Sequence, residues 1–298
     1  MNTAIELMNV SKIYKGKKAV DNLSLKVERG TVFALLGPNG AGKTTTISMI
    51  LGMRQPTSGT VKLLGGDPKD IHIRNRIGAM LQDVSVIDSL KVAETINLFR
   101  SYYTKPQSLE QLLRISGLEN EKDKMASSLS GGQQRRLGFA LAAAGDPEVI
   151  FLDEPTVGMD VTSRQMFWET IRAMADRGRT VVLTTHYLEE ADNLADRVVV
   201  INEGRIVADG TPSQIKAETT GRIISFTAGA SVTNDMLHQL PGVKKVEWNG
   251  RRARLHSGDT DRLIKLLVEQ RFDMRDIEIQ SGGLDDAFQA LVGQKGDQ

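Results

Sequence analysis

Eight residues, Gly37-Pro-Asn-Gly-Ala-Gly-Lys-Thr44, constrain the fold more than any other stretch of this chain. They follow Val32-Phe-Ala-Leu-Leu36, a continuous apolar run of the kind that forms a strand buried on both faces, and they lead into helix-compatible Thr44 to Leu51. Strand, glycine-rich turn and helix in that order form a phosphate-binding loop. The backbone from Gly37 through Pro38, Asn39, Gly40, Ala41 and Gly42 closes around phosphate oxygens. The positive end of the helix dipole, opening at Lys43, Thr44 and Thr45, points at the same place. Lys43 would reach the outer phosphates, and the Thr44 hydroxyl suits Mg²⁺, a hard cation that prefers oxygen.

A second apolar strand, Val149-Ile-Phe-Leu152, ends in adjacent carboxylates, Asp153 and Glu154, and is stopped by Pro155. Alone, such a strand end is equally an ordinary solvated one. Beside a phosphate loop, Asp153 has the position of a Mg²⁺ ligand, and Glu154 that of the base that orients and deprotonates an attacking water. Further buried strands at Val181 to Thr184 and Val198 to Ile201, with helices at Gln133 to Ala144 and Ser163 to Asp176, indicate a parallel α/β sheet. Thr3 to Tyr14 and Asp21 to Val27 alternate loosely and are expected as edge strands. Leu129-Ser-Gly-Gly-Gln133 offers a hydroxyl and bare amides, from Ser130, Gly131, Gly132 and Gln133, at another helix start. One nucleotide site does not need two such loops.

With that string the chain resembles the nucleotide-binding subunits of ABC transporters, from Ala4 to about Gln214. The resemblance implies a cassette fold: a parallel-sheet α/β core with antiparallel β and α-helical subdomains. It implies ATP and Mg²⁺ as cofactors, with Lys43 and Glu154 catalytic and Thr44 and Asp153 on the metal. Tyr14 matches the aromatic residue that stacks on adenine. Gln82, after Ile77-Gly-Ala-Met-Leu81, matches the glutamine that contacts Mg²⁺ or water and faces the membrane partner. His186, after Val181-Val-Leu-Thr-Thr185, matches the switch histidine on the γ-phosphate. Family geometry further implies a second copy of the chain, whose Ser130 to Gln133 segment would cover the nucleotide of the first. A separate transmembrane permease subunit and a peripheral place at the cytoplasmic face of the membrane follow from the same likeness. Where the family often has Ser-Ala-Leu-Asp, this chain has Val157-Gly-Met-Asp160, which removes a hydroxyl from that loop. Gln133-Gln-Arg-Arg-Leu137, Pro155-Thr-Val-Gly-Met-Asp160, Thr185-His-Tyr-Leu-Glu-Glu-Ala191 and Leu284-Asp-Asp-Ala-Phe288 resemble the drug- and antibiotic-export branch, of the daunorubicin- and linearmycin-resistance kind.

The cassette is expected over residues 1–216. Beyond it a new pattern begins: strand Arg222 to Thr227, helix Asn234 to Leu240, strands Lys244 to Trp248 and Arg252 to His256 around an Asn249-Gly250 turn, helix Asp261 to Arg271, and strand Met274 to Gln280. This β-α-β-β-α-β order suggests a ferredoxin-like regulatory or dimerisation domain over 217–298, closing with a helix at Leu284 to Leu291. Composition narrows the chemistry. Lys+Arg 38 against Asp+Glu 37 leaves no basic excess for a nucleic-acid partner. With no cysteine, disulfides and thiolate metal sites are excluded. The N-terminus shows no basic segment followed by an apolar one, so no signal peptide is expected, and no apolar run approaches the ~20 residues of a membrane-spanning helix. The leading reading is an ATPase subunit that energises export. The alternatives are a soluble ABC ATPase in a non-transport assembly, or a regulatory ATP-binding module.

Overall fold

Strands β1 (Thr3–Tyr14) and β2 (Lys17–Glu28) pair antiparallel through Lys15 and Gly16, both at positive φ, the two-residue turn whose twist matches a hairpin. The computed structural model describes residues 2–82, 87–219, 222–281 and 283–293, and divides the chain into two units, Met1–Asp209 and Gly210–Gln298. In the first unit β3 (Val32–Leu36) is buried along its whole length, as its unbroken apolar run requires. β4 (Ser58–Leu63) pairs with the free side of β1, giving a three-stranded sheet in the order β2-β1-β4. Only β2 of the two expected edge strands therefore lies at an edge; β1 is central.

The larger sheet adds β5 (Ile77–Met80), β6 (Val149–Asp153), β7 (Thr180–Thr184), β8 (Arg197–Asn202) and β9 (Arg205–Gly210) in the order β5-β6-β7-β3-β8-β9. Neighbours from β5 to β8 run parallel. Helix α1 (Lys43–Ile50) buries Ile47, Met49 and Ile50 in one cluster with Ile5, Leu7, Val20 and Leu25 of the antiparallel sheet and Phe33, Leu35 and Val199 of the parallel one. A helix clamped between two sheets has a fixed N-terminus, and the glycine loop is attached to it. α2 (Ile71–Arg74) is a single turn capped by Asp70. Three helices, α3 (Val92–Arg100), α4 (Leu109–Ser116) and α5 (Gly131–Ala143), pack on one another as the helical portion. α6 (Val161–Asp176) and α7 (Leu188–Leu194) follow β6 and β7.

In the second unit, α8 (Pro212–Thr219) precedes β10 (Arg222–Ala228), α9 (Asn234–His238), the hairpin of β11 (Val243–Asn249) and β12 (Arg252–Ser257), α10 (Thr260–Glu269), β13 (Met274–Ser281) and α11 (Leu284–Gly293). The sheet order is β11-β12-β10-β13, with every pair antiparallel. Phe226, Leu237, Leu255, Leu263 and Leu267 form a core of its own. α8 packs on α11 and touches β13, which is why the division falls after Asp209, earlier than the boundary expected at 216. No helix among the described residues is long and apolar enough to cross a membrane.

At the end of the central sheet where β5 and β6 begin, Glu148 ties three strand starts together. Arg76 Nε and Nη2 donate to it at 2.6 and 2.9 Å, and Arg29 Nη1 at 2.9 Å. The Arg76 hydrogen bond is the main reason why the Glu148 carboxyl titrates below the ordinary 4.5. A carboxylate with a lowered folded pKa contributes stability above its unfolded value and loses it as pH falls through the folded one. Glu148→Gln should therefore cost about 1 kcal/mol at pH 7, a value already discounted for the partial exposure of the cluster. In urea denaturation the difference from wild type should shrink as pH drops below 4.5.

Candidate active site

β3 delivers the chain into a turn that only glycine satisfies at its last position. Gly42, at φ +107, caps α1, and a Cβ there would lie 2.4 Å from Ala19 O. The turn is held from inside: Ala41 N–H donates to Pro38 O at 3.1 Å, and Lys43 Nζ donates to Gly37 O at 2.6 Å and Pro38 O at 3.2 Å. No acidic side chain occupies the first turn of α1, so nothing in it neutralises the positive end of the helix dipole. Burial depresses the Lys43 pKa, and the nearby charges of Glu154 and Asp153 act against that shift.

The carboxylates come from β6. Its parallel register sets Asp153 opposite Thr184 of β7, and the Thr184 hydroxyl donates to Asp153 Oδ1. One residue on, Glu154 N–H donates to Thr184 O at 2.9 Å. Glu154 has φ +50, a left-handed conformation costly for a residue with a side chain and common at functional sites. That conformation accompanies a contact of 3.2 Å between Glu154 Oε1 and His186 Nδ1, with the histidine half exposed.

Pro38, Asn39, Gly40, Gly42, Lys43, Thr44, Thr45, Gln82, Asp153 and Glu154 line one cavity of 210 Å³ together with Ala19. His186 joins through Glu154, and Gly37 through the Lys43 ammonium. Ala41 lies beneath the loop, buried, its carbonyl accepting from Gly204 N–H. Larger cavities of 320 Å³, beside Arg114 and Met166, and 440 Å³, beside Asn2 and Lys62, lack this convergence of helix terminus, lysine and paired carboxylates. Thr184 and Ala19 escaped sequence reasoning. A threonine closing an apolar strand carries no signal until the strand register is known, and Ala19 meets the loop through a carbonyl beside Gly42, a contact no local pattern encodes.

Two groups of expected residues stand outside the cavity. Tyr14 ends β1 exposed, with Lys12 Nζ 5.3 Å and Arg54 Cζ 5.6 Å from its ring centroid. Ser130 is also exposed and caps α5 reciprocally with Gln133: Gln133 N–H donates to Ser130 Oγ at 3.3 Å, and Ser130 N–H to Gln133 Oε1 at 2.9 Å. Nothing lies near a Cβ built on Gly131, whereas one on Gly132 would come 2.8 Å from Gly158 O. The unusual Val157-Gly-Met-Asp160 thus lets bare backbone meet bare backbone. Asp160 then caps α6, accepting from Ser163 N–H at 2.9 Å and Ser163 Oγ at 2.7 Å, bonds that lower its pKa.

Known proteins carry the same combination. The sequence profile of the family described as "ABC transporter" matches residues 20–157. The chain is 36% identical over 299 residues to a Nod factor export ATP-binding protein I of Paraburkholderia xenovorans (strain LB400), covering 98% of each. It is 33% identical over 316 residues to a daunorubicin/doxorubicin resistance ATP-binding protein of Streptomyces peucetius, covering 100% of this chain and 96% of that one. Among solved structures, a dimeric post-hydrolysis state of an ATP-binding cassette bound to ADP and Pi superposes with TM-score 0.63 at 26% identity, over 70% of this chain and 98% of that one. With relatives matched end to end, and with the Lys43 loop, Gln82, Asp153 and Glu154 gathered around one cavity, this chain belongs to the ABC transporter family as an ATP-binding, ATP-hydrolysing member.

Proposed function

We propose that the chain is the motor subunit of an exporter, hydrolysing ATP to drive a separate membrane subunit that expels a drug, antibiotic or other amphiphile. The observation that carries the catalytic part is the Glu154 carboxylate, 3.2 Å from His186 at the mouth of the Lys43 loop. The phosphates of ATP lie against the loop amides and the N-terminus of α1. Lys43 exchanges its bonds to Gly37 and Pro38 carbonyls for the β- and γ-phosphate oxygens. Glu154 orients a water and accepts its proton as the new O–P bond forms and the bond to the ADP leaving oxygen breaks. His186 steadies the γ-phosphate and the Glu154 carboxylate together. Thr44, Gln82 and Asp153 line the same cavity, and their hydroxyl, amide and carboxylate oxygens are a donor set that would hold Mg²⁺. When bound, the ion offsets the negative charge of the β- and γ-phosphates.

Tyr14 and the Ser130 to Gln133 cap complete the site in different ways. Tyr14 offers its ring to adenine. Ser130, Gly131, Gly132 and Gln133, none of which lines the Lys43 cavity, serve the nucleotide of a second copy, so that two cassettes enclose two ATP molecules. The likeness to export ATP-binding proteins supports the transport reading, and the dimeric cassette supports the sandwich. The subunit is expected to sit peripherally at the cytoplasmic face of the membrane. The second unit is assigned to contact between the two copies, because it has its own core and leaves Val268, Ile277 and Ile279 exposed.

Replacing Glu154 by Gln keeps the shape and removes the base. ATP binding, followed by titration, should persist while steady-state phosphate release falls by about 10²-fold or more. Near-normal release would refute the role of Glu154. Ending the chain at Asp209 should leave ATP binding measurable and weaken self-association in the absence of nucleotide. Light scattering on both lengths decides the second point, since identical monomer–dimer equilibria exclude the second unit as a dimer contact.

A further inference from the structure

Behind the catalytic pair lies an ionisable group that the scheme above leaves unused. Glu190, in the first turn of α7, is fully buried. Three side chains from separate segments act on its carboxyl: Thr185, the residue before His186; Trp168 of α6, whose Nε1 donates to Oε1 at 3.3 Å; and Thr156, two residues after Glu154. Both threonines are buried as well. Arg164 of α6 adds an attractive charge while its guanidinium lies 5.0 Å over the ring of Tyr187. Burial dominates the titration of Glu190 and raises its pKa, while the Trp168 hydrogen bond and the nearby Thr185 and Thr156 hydroxyls oppose the shift. Even so, Glu190 Oε2, Thr156 Oγ1 and Arg164 Nε are sealed from solvent without a partner in ordinary hydrogen-bond geometry. An apolar residue would fill such a place at less cost, so packing alone does not account for a carboxyl group there.

Its surroundings connect it to the reaction. The Thr185 hydroxyl accepts from Tyr187 N–H at 3.0 Å, closing a tight turn that has His186 at its middle. Thr156 O accepts from Met159 N–H at 3.1 Å in the turn that carries the chain on from Glu154. Glu154 itself is held at φ +50, a conformation that persists only where the surroundings impose it. We propose that Glu190 is a positioning residue that spans the turns of Thr156 and Thr185 and thereby sets the contact between Glu154 and His186. The inference rests on the hydrolytic reading of that pair and adds a residue that touches neither nucleotide nor water.

The test compares the full-length wild type with Glu190→Gln and Thr156→Val, two near-isosteric changes that each remove part of the bridge. Uncharged Gln is cheaper to bury, so the Glu190→Gln chain should unfold no lower in temperature than wild type. Its kcat should fall about fivefold or more with KM held within about twofold, and Thr156→Val should show the same split. In both, the imidazole NMR signals of His186 should move while those of His72, His238 and His256 stay in place. Wild-type kcat in both variants overturns the proposal. So does a fall in kcat that comes with a raised KM, a lower unfolding temperature and an unmoved His186 signal, which marks Glu190 as structural only. An inactive wild type would instead bring down the hydrolytic reading, and the inference with it.

Discussion

In the central sheet β6 and β7 run parallel with Asp153 opposite Thr184, and the rest of the catalytic end follows from that register. Parallel strands share a direction, so their C-terminal ends meet on one edge of the sheet, where crossover loops are free to bind ligands. A slip of one residue would turn Asp153 to the other face and separate Glu154 from His186. The register is also secured away from the site. Apolar side chains buried on both faces of β3, β6 and β7 hold the strands in the core, and Glu148, with Arg76 and Arg29, ties their opposite ends. The site therefore gains its rigidity from strands.

Electrostatics complete what the sheet positions. Lys43 and the N-terminus of α1 supply positive potential on one side of the cavity, and Asp153 and Glu154 supply negative potential on the other. The Lys43 ammonium bridges two loop carbonyls and so preserves the curvature of the loop. Such preorganisation is most of what phosphoryl transfer asks of a protein, because positioning and charge stabilisation outweigh covalent participation.

Sequence and structure agree where the signal is local. The glycine loop, the Asp153-Glu154 strand end and the Ser130 cap are short strings whose residues act next to one another in the chain, and all were legible. So were the strands buried on both faces, because continuous apolar runs have few other uses. β4 gave no such signal: five of its six residues are at least partly exposed, and Gly59 interrupts it, so no period survives. α4 had its markers, Ser108 as cap, apolar Leu112 and Leu113 on its buried face and Gly117 at φ +60 as terminator, yet no chemical motif adjoins them. Thr184, Ala19 and Glu190 were out of reach for a different reason. Their roles exist only through strand register and tertiary packing, which no spacing along the chain encodes.

The central claim is that one chain carries two half-sites, the Lys43 loop for its own nucleotide and the Ser130 cap for that of a second copy. Mixing Lys43→Ala and Ser130→Arg chains tests it most directly. Each variant alone damages both sites of a dimer, whereas a mixed dimer gathers both lesions in one site and leaves the other intact. With random pairing at equal amounts, phosphate release should recover to about a quarter of the wild-type rate, since half the dimers then carry one working site of two. Release no higher than that of the separate variants, with mixed dimers confirmed to form, would contradict the shared site.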